Sequence, residues 1–404
     1  MLPKGWRRST LGEIARITSG GTPDRSKSEY WGGDVPWVTT GEIQFNTITS
    51  SAERITAAGL QNSSAKLFPP GTLLMAMYGQ GKTRGQVAKL GIEAATNQNS
   101  AAILLNDGHD PDFYFQFLWS QYDTIRDFGH SGGVSHLNVG LLKQIGVPVP
   151  PAGEQRRIAA MLSMWDQSIA ATERLIANGQ RQHQSLAHQL LIKPALHGAW
   201  DMKAMSAISQ RIQRRGLADE NLPVLMISSG SGFVRQDEKY SRFMAGKSVE
   251  NYIALDCGEF AYNKGNSKLY EFGCVFALKG HERGLVPNVY VCFKLMPSLN
   301  GAFYEHLFRA DYLHDQLGAL VNTGVRNNGL LNIRPNDFLA CRVPVPPMEV
   351  QNQIAEVLTT AARYVELRER DLDLLKREKA ALLSQLLTGK RRVTSLAAES
   401  ESPA

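Results

Sequence analysis

The residues whose types and spacing most clearly suggest a binding or catalytic role lie in a glycine-rich segment near position 80. Residues Ala76–Thr83 read AMYGQGKT and fit a relaxed phosphate-loop pattern, with Ala in the place of the first Gly. A phosphate loop has to open a helix whose N-terminal amides hold the phosphates, but the residues that follow, as far as Gly91, are poor helix material. A close approach to DNA explains Gln80, Lys82 and Arg84 better, because Lys and Arg meet phosphates and Gln or Arg can read base edges. A solvated turn is the alternative interpretation.

Other loops carry side chains of the same kind. Asn and Arg have the paired hydrogen-bonding groups that base edges in the major groove require, and the loops concerned are punctuated by glycine. Each of these residues is also open to a structural or phosphate-contacting role. The candidates are Lys27, Tyr30 and the 131–135 loop with Ser131 and Ser135 in the first half, and Asn263, Lys264, Asn266, Ser267, Arg326, Asn327 and Asn328 in the second.

No constellation of catalytic or metal-binding residues is evident. Residues Asp110–Phe113 (DPDF) imitate the adenine methyltransferase signature poorly, and neither Pro-Asp pair is followed by the acidic-x-Lys element of a nuclease. The nine histidines form no HExxH or HxH pair, and His183 and His188 do not share a helix face well. The four cysteines have no CxxC spacing and are expected to be reduced and mostly buried: Cys257, Cys274, Cys292 and Cys341. The sequence therefore predicts a protein without catalytic residues and without a metal site.

Length and composition indicate a folded protein of two or three domains. The chain has 404 residues, of which 43% are hydrophobic and 20% charged. The net charge of +6 is compatible with a polyanionic partner but is too small to identify one. No stretch resembles a signal peptide or a membrane span, so we expect a cytoplasmic protein.

The sequence contains an internal repeat. The pentapeptide VPVPP occurs at Val147–Pro151 and again 196 residues later at Val343–Pro347. Matches continue on both sides, at offsets that drift from 187 upstream to 196 downstream, as small loop insertions would produce. The matched residues include Gly71 and Gly258, Asn97 and Asn288, Leu137 and Leu331, and Gln155 and Gln351. The pattern predicts a tandem duplication of a unit of about 190 residues.

Each unit has a globular part and a helical part. In the globular part, short apolar runs alternate with loops and predict strands at Thr72–Tyr78, Ala101–Leu105, Phe260–Tyr262 and Val289–Phe293, with helices at Asp112–Asp127 and Gly301–Leu320. In the helical part, a heptad seam predicts a helix of roughly 55–60 Å in each unit. The first seam comprises Ile158, Leu162, Trp165, Ile169, Thr172, Ile176, Gly179, His183, Leu186 and Leu190; the second comprises Ile354, Leu358, Ala361, Val365, Arg368, Leu372, Leu375, Lys379, Leu382 and Leu386. Lys193-Pro194 and Gly389 are the predicted stop signals.

Two interpretations of these helices stay open. The polar seam positions suit a fixed register or contact with another protein, and Gln155 and Gln351 belong to the same predicted packing or partner surface. Two ordinary core helices inside one large domain are the alternative.

The helix entry resembles that of the specificity subunits of type I restriction-modification systems, in which a proline-rich segment precedes a Glu-Gln pair. Here Pro148–Pro151 precedes Glu154-Gln155 and Ile158-Ala159. Further segments are similar to recognition domains of that family: Leu2–Trp6, Leu11–Glu13, Ser19–Pro23, Tyr30-Trp31, Val35–Val38, Gly41–Ile43, Tyr78–Gly85 and Thr96–Gln98, with Ala261–Ser267 in the second unit. The second helix opens with Val350-Gln351 and the second unit lacks the GGTP opening, which suggests a different recognition subtype.

The resemblance implies an α+β protein with two tandem target recognition domains and two long antiparallel coiled-coil-like helices, related by a pseudo-twofold duplication. It implies recognition domains at 1–150 and 221–346, spacer helices at 151–192 and 347–390, a linker at 193–220 and a disordered tail at 391–404. Each recognition domain is expected to read one half of a bipartite asymmetric site in double-stranded DNA, while the helices set the gap between the halves.

The resemblance also implies partner proteins. Two modification (methyltransferase) subunits that bind S-adenosylmethionine are expected to dock on the helices, together with restriction subunits that use ATP and Mg²⁺. No cofactor is expected in this chain itself. The competing interpretation is a duplicated scaffold that binds protein or carbohydrate, for which Tyr30-Trp31 and Trp37 would supply aromatic stacking surfaces.

Overall fold

The computed structural model describes residues 3–79, 81–128, 136–216, 222–239, 250–321 and 331–393. The chain divides into two compact units. Unit 1 comprises Met1–Thr172 and Asp371–Ala404, and unit 2 comprises Glu173–Arg370.

Unit 1 is an α+β assembly. Its globular elements are β1 (Arg7–Thr10), α1 (Leu11–Ile14), β2 (Ala15–Ser19), β3 (Trp31–Val38), β4 (Thr47–Ile48), β5 (Glu53–Ile55), α2 (Ala57–Gln61), β6 (Leu67–Phe68), β7 (Leu73–Ala76), β8 (Val87–Leu90), β9 (Ala94–Thr96), β10 (Ser100–Leu105), α3 (Pro111–Ser120), α4 (Tyr122–Phe128), α5 (Val139–Lys143) and β11 (Gly146–Val149). The central sheet has the order β2-β10-β7-β8-β4, a smaller sheet has the order β5-β3-β9-β6, and β1 pairs with β11.

Burial explains why the central strands form. All four residues of β7 are fully buried, as are the first four of β10, so these strands are nearly continuous apolar runs at the middle of the sheet. Asp110 caps α3 by accepting a hydrogen bond from the Phe113 amide at 3.0 Å. The predicted helix at 112–127 is divided into α3 and α4 at Gln121.

Two long helices confirm the heptad prediction. α6 runs from Ala152 to Ala187, continues as a π-helical turn at His188–Ile192 and ends with α7 (Lys193–Leu196). The second long helix, α13, runs from Met348 to Leu386. At 1.5 Å per residue, α6 and α13 are roughly 54 and 58 Å long. In unit 1 they are antiparallel, because Glu154 contacts Arg392 while Asp166, further along α6, contacts Lys379.

Every predicted seam position, from Ile158 to Leu190 and from Ile354 to Leu386, is buried or half-buried. The predicted stop at Lys193-Pro194 is wrong. The helix continues through the π turn at His188–Ile192 and ends at Leu196, two residues beyond Pro194.

Unit 2 repeats the plan of unit 1. Its globular elements are β12 (Asp201–Ala204), α8 (Met205–Ile208), β13 (Ser209–Ile212), β14 (Leu225–Ser228), β15 (Gly232–Arg235), α9 (Gln236–Lys239), β16 (Ile253–Asp256), β17 (Phe260–Asn263), β18 (Cys274–Ala277), β19 (Arg283–Val286), β20 (Val291–Leu295), α10 (Gly301–Arg309), α11 (His314–Leu320), α12 (Pro335–Ala340) and β21 (Arg342–Val345). The sheet order β13-β20-β17-β18 reproduces β2-β10-β7-β8, and the β12-β21 ribbon reproduces β1-β11. The topology confirms the predicted duplication.

The predicted linker at 193–220 is wrong for residues 201–212. β12 pairs with β21 and β13 pairs with β20, so this segment is the first part of the second globular domain. Its strands are short, and their partners lie about 80 to 140 residues further along the chain. A local pattern in the sequence could not reveal that pairing.

Candidate nucleic-acid interface

In unit 1, several loops meet at one end of the central sheet. β7 is antiparallel to both β8 and β10, and β10 is antiparallel to β2. The end of β2, the end of β7, the start of β8 and the start of β10 therefore lie at the same edge. The Leu137 amide also donates to the Met77 carbonyl at 2.9 Å, which brings the segment before α5 to this edge. We call this edge the loop end of unit 1.

The β7–β8 loop at this end is not a phosphate loop. It joins two antiparallel strands, and its base is closed by hydrogen bonds from Gly85 N to Ala76 O at 2.8 Å and from Ala76 N to Gln86 O at 2.9 Å. Among its described residues no helix begins, so no row of helical amides is aimed at a phosphate. The phosphate-loop interpretation is therefore wrong.

Helix α4 holds the β7–β8 loop in place. The Arg126 guanidinium donates to the Gly81 carbonyl at 2.5 Å and to the Tyr122 hydroxyl at 2.7 Å. The Tyr122 hydroxyl in turn donates to the Lys82 carbonyl. Gly79 has a φ of +135°, and a Cβ there would lie 2.9 Å from the Thr83 Cβ, so the turn requires glycine. Sequence reasoning missed Tyr122 and Arg126, whose spacing of four on a helix was the available signal.

The structure separates the predicted residues of this loop. Lys82 is exposed, as a phosphate contact requires, whereas Arg84 is only 6% exposed and its side chain lies inside the protein. The prediction that Arg84 contacts DNA is therefore wrong for this conformation, because its guanidinium packs within the unit. Tyr78 is 41% exposed and stacks on His136, with ring centroids 4.8 Å apart. Gln80, Ser131 and Ser135 lie outside the described residues.

A second cluster lies in the loop after β2. Lys27 and Tyr30 are brought together, with the Lys27 ammonium 3.3 Å from the Tyr30 hydroxyl and 5.1 Å from the centre of its ring. The hydrogen bond to Tyr30 raises the pKa of Lys27, so this exposed group keeps its positive charge. Both residues remain available for contact with a polyanion.

The aromatic residues proposed for carbohydrate stacking are already occupied. Trp37 is 2% exposed, and its indole N–H donates to the Gly21 carbonyl at 2.9 Å. Trp31 packs edge-on against Trp37, and Arg25 lies 4.1 Å from the Trp31 ring centre while it pairs with Glu53. The alternative interpretation, in which Trp37 stacks on a sugar, does not fit the structure, because Trp37 belongs to the core of the smaller sheet.

Unit 2 has the equivalent loop end. The loop between β17 and β18 starts at Asn263, and the Leu331 amide donates to the Lys264 carbonyl at 3.1 Å, as Leu137 does to Met77 in unit 1. The Asn263 side chain accepts a hydrogen bond from the Gly265 amide at 3.0 Å, and the Ser267 hydroxyl accepts one from the Tyr270 amide at 3.1 Å.

These local bonds assign Asn263 and Ser267 a role in shaping the loop. Asn266 is exposed and Lys264 is half-buried. Arg326, Asn327 and Asn328 lie outside the described residues.

A glutamine at the start of each long helix ties that helix to its globular domain. The Gln155 amide group donates to the Pro150 carbonyl at 2.8 Å, and its oxygen accepts from the Asp110 amide at 2.8 Å. Gln351 makes the same contacts with Pro346 at 2.8 Å and with the Asn300 amide at 2.9 Å. Both glutamines are buried. We call this arrangement the glutamine clamp, and it explains the Gln155 and Gln351 repeat as a structural device inside each unit.

Comparison with known proteins shows which proteins this chain is similar to. The family model for the type I restriction modification DNA specificity domain matches residues 3–178. The chain is 23% identical to the type I restriction enzyme MjaIX specificity subunit of Methanocaldococcus jannaschii, over 98% of this chain and 95% of that relative. Residues 3–178 therefore match a type I restriction modification DNA specificity domain, and the chain is similar over nearly its whole length to a specificity subunit of a type I restriction enzyme.

One further protein and two solved structures are also similar to this chain. The EcoR124I/EcoR124II specificity subunit of Escherichia coli is 28% identical over 39% of this chain and 40% of that protein. The fold is similar to the S subunit of a type I restriction-modification system from M. genitalium, with a TM-score of 0.58, 15% identity and coverage of 96% and 97% of the two chains. A chain from a structural study of type I system assembly has a TM-score of 0.55 at 17% identity, covering 97% of this chain and 100% of that one.

The described residues contain few groups that could bind a metal ion or react. In the described ranges, no group of three or more His, Cys, Asp or Glu side chains is placed to hold a metal ion. No helix among those residues is long and apolar enough to cross a membrane. The four cysteines are free, with Cys257 exposed and the other three buried, as expected.

Proposed function

We propose that this chain reads a bipartite site in double-stranded DNA, with the loop end of each unit contacting one half. The observation that carries the proposal is the repetition of the loop end. Two sheets of the same strand order each gather their connecting loops at one edge, and the loops differ in sequence between the units. Duplicated scaffolds with different loops suit the reading of two different half-sites.

The chemistry of the loops supports a division of labour within each unit. Exposed Lys82 and the Lys27–Tyr30 pair are suited to phosphates, which position a protein on the duplex without reading its sequence. Exposed Asn266 and Tyr78 have groups that suit base edges. The loop is held by Tyr122 and Arg126 before DNA binds, so little loop ordering is needed on binding.

The long helices are the proposed docking surface for modification subunits. On α13, apolar side chains at Val357, Tyr364 and Leu367 are exposed, although the seam toward α6 is covered. Their spacings of seven and three follow a heptad pattern along the flank of the seam, where Tyr364 also lies beside Gly179 of α6. A helical segment of a modification subunit would cover this stripe. S-adenosylmethionine, ATP and Mg²⁺ would then be bound by the partner subunits.

A salt titration of DNA binding by the chain together with its modification subunit tests the proposal. Site-specific recognition predicts that the affinity falls steeply as salt rises while the preference for the site is retained. The absence of DNA binding at low salt would contradict the proposal. Binding without any sequence preference would contradict it as well.

The helices are also proposed to set the gap between the half-sites. Four residues inserted after Ile169 add about one turn, roughly 6 Å, to α6, and we expect a changed gap or failure of assembly. The same four residues inserted after Pro297, in an exposed turn between β20 and α10, serve as the control. An unchanged gap and intact assembly after the Ile169 insertion would exclude the spacer role.

A further inference from the structure

Leu269 is an exposed aliphatic side chain at the loop end of unit 2. It lies in the β17–β18 loop, the equivalent of the loop that carries Tyr78 and Lys82 in unit 1, and it is 65% exposed. Isolated exposed leucines are common on protein surfaces and by themselves indicate nothing. The way in which the loop holds this residue is what sets it apart.

Both arms of the loop are anchored, whereas its tip is not covered. Ser267 and Tyr270, on either side of the tip, are joined by hydrogen bonds from Ser267 N to Tyr270 O at 2.9 Å and from Tyr270 N to the Ser267 hydroxyl at 3.1 Å. The Tyr270 hydroxyl donates to the Arg309 carbonyl at 3.2 Å. Further on, the Tyr262 hydroxyl donates to the Phe272 carbonyl at 2.7 Å. Lys268 and Leu269 therefore form the tip of a rigid turn and point into solvent.

The residues around the tip suit a nucleic-acid surface. Lys268, next to Leu269, is exposed and can meet a phosphate, and exposed Asn266 lies on the same loop. An aliphatic side chain cannot read hydrogen-bond donors or acceptors on a base. In the major groove, the apolar feature that distinguishes one base edge from the others is the C5 methyl group of thymine.

We propose that Leu269 is a specificity-determining residue of unit 2 and that its side chain contacts the methyl group of a thymine in the major groove. This proposal rests on the proposed function of the loop end. Lys268 contacts the adjacent backbone and contributes affinity without sequence preference. In unit 1, exposed Tyr78 occupies the equivalent loop, so the two units present different apolar groups to their half-sites.

The test uses the complex of this chain with its modification subunits. The recognised site is first read from the methylation pattern of cells that carry the intact system. Duplexes are then made in which single thymines of the site are replaced by deoxyuridine, which pairs identically but lacks the C5 methyl group. Binding of the wild-type complex to one such duplex should weaken about fourfold, the factor expected for one lost methyl contact.

Variants identify the contacting residue. Leu269→Ala should bind the thymine duplex about fourfold more weakly than wild type and should no longer distinguish thymine from deoxyuridine. Lys268→Ala should weaken binding to both duplexes equally and lower the salt dependence by about one phosphate contact. Leu196→Ala, at another exposed leucine outside the loop, is the matched control and should change neither value.

Three results would overturn the proposal: equal wild-type affinity for every deoxyuridine duplex, continued discrimination by Leu269→Ala, or a recognised site without thymine. Melting temperatures equal to wild type would show that the variants are folded. If the wild-type complex has no site preference at all, the proposed function fails. If the site preference is intact and Leu269→Ala behaves as wild type, only this inference fails.

Discussion

The two units share one backbone plan but stabilise the junction of helix and globular domain in different ways. The glutamine clamp is the same in both, with Gln155 and Gln351 each bonded to a proline carbonyl and to the amide of a helix cap. The positions beside the clamp differ. In unit 1 they hold ion pairs, and in unit 2 they hold apolar groups and neutral histidines.

In unit 1, two ion pairs lie at the junction, and one member of each pair is buried. Buried Glu154 accepts hydrogen bonds from Arg392 at 2.7 and 2.8 Å and from the Trp6 indole at 3.0 Å. Burial raises the pKa of Glu154, but the bonds from Arg392 and Trp6 outweigh it and lower the pKa below its usual value. Further along α6, Asp166 accepts a bond from the buried Lys379 ammonium at 2.5 Å.

In unit 2, the same positions carry no such ion pairs among the described residues. Val350 replaces Glu154, and Trp200, which precedes β12 as Trp6 precedes β1, packs edge-on against Phe303. His183 replaces Lys379, and His306 takes the place that Gln116 holds in unit 1. The His183 and His306 rings lie 5.8 Å apart.

His183 and His306 both have lowered pKa values and are therefore neutral at pH 7. Burial, reinforced by His183, Arg309 and Lys279, lowers the pKa of His306 to about 4, and burial together with Arg309 lowers the pKa of His183. Glu305, the acidic group nearby, is paired with Lys279 and Arg309, and His306 bonds to the Thr359 hydroxyl at 3.0 Å. Both units keep the contacts of the glutamine clamp, while the side chains beside the clamp differ between them.

Substitution of a glutamine of the clamp should cause the largest loss of stability, and the loss should be equal in the two units. Gln155→Leu leaves the Pro150 carbonyl and the Asp110 amide without their partner, and Gln351→Leu does the same to Pro346 and Asn300. Each change should lower the free energy of unfolding of its unit by about 3 kcal/mol. Hydrogen exchange resolved by unit measures the effect. Gln182→Leu, on the exposed face of α6, is the control, and a similar loss there would contradict the account.

The next largest loss of stability should follow substitution of Glu154 and should occur in unit 1 alone. Glu154→Val introduces the side chain of the equivalent position in unit 2, Val350, and removes the acceptor of the Trp6 indole and of two bonds from Arg392, which keeps its bond to the Lys4 carbonyl. We expect a loss of about 2 kcal/mol, because the buried Trp6 indole loses its acceptor and the charge-assisted bonds from Arg392 are lost. Urea unfolding combined with hydrogen exchange measures it. Restored stability in Glu154→Val with Arg392→Leu, which copies Leu196 at the equivalent position, would support the assignment; an unaltered unit 1 in the single variant would refute it.

Mild acid should affect unit 2 before unit 1. The folded-state pKa values of His183 and His306 lie below the usual value of 6.5, so the unfolded chain binds protons first and the stability of unit 2 falls as the pH drops below 6.5. The contribution of Glu154 is lost only as the pH falls below its usual value of 4.5.

Between pH 7 and 5, unit 2 should lose about 1 to 2 kcal/mol. Hydrogen exchange at several pH values tests this prediction. The variant His306→Gln, which introduces the residue of unit 1, should reduce the acid effect, and equal pH dependence of the two units would contradict the comparison.

The smallest effect should come from an exposed ion pair. Arg370 and Glu366 pair across one turn of α13 at 2.7 Å, with both side chains largely exposed. Arg370→Ala should change the free energy of unfolding by less than about 0.5 kcal/mol. Thermal unfolding at low and high salt is sufficient to measure it. A loss comparable to that of Glu154→Val would show that exposure does not separate the two kinds of pair.

Sequence reasoning predicted the elements whose evidence is local or repeated. The VPVPP repeat, the heptads of α6 and α13 and the buried runs of β7 and β10 identified the duplicated α+β plan. Pairing between distant segments was not predictable, and β12 was therefore assigned to a linker. Pro194 was read as a helix stop because a π turn that accommodates proline leaves no local signature.

The candidate interface was predicted in outline only. The β7–β8 and β17–β18 loops were found from glycine and polar residues, and the structure places them at equivalent ends of the two sheets. Residue type alone does not show whether a side chain is exposed. Arg84 and Trp37 have the types expected of surface contacts, but both lie inside the protein. Leu269 was not among the predicted DNA-contacting residues, because the sequence does not show that this leucine is exposed to solvent.

The central claim is that each unit reads one half of a bipartite DNA site. The most direct measurement is methylome sequencing of cells that express the intact system, first with the wild-type chain and then with a chain in which residues 264–269 are replaced by the equivalent loop of another specificity subunit. The account predicts a methylated motif of two specified segments around an unread gap, of which the replacement alters one segment only. A continuous motif, or a replacement that alters both segments or neither, would contradict it.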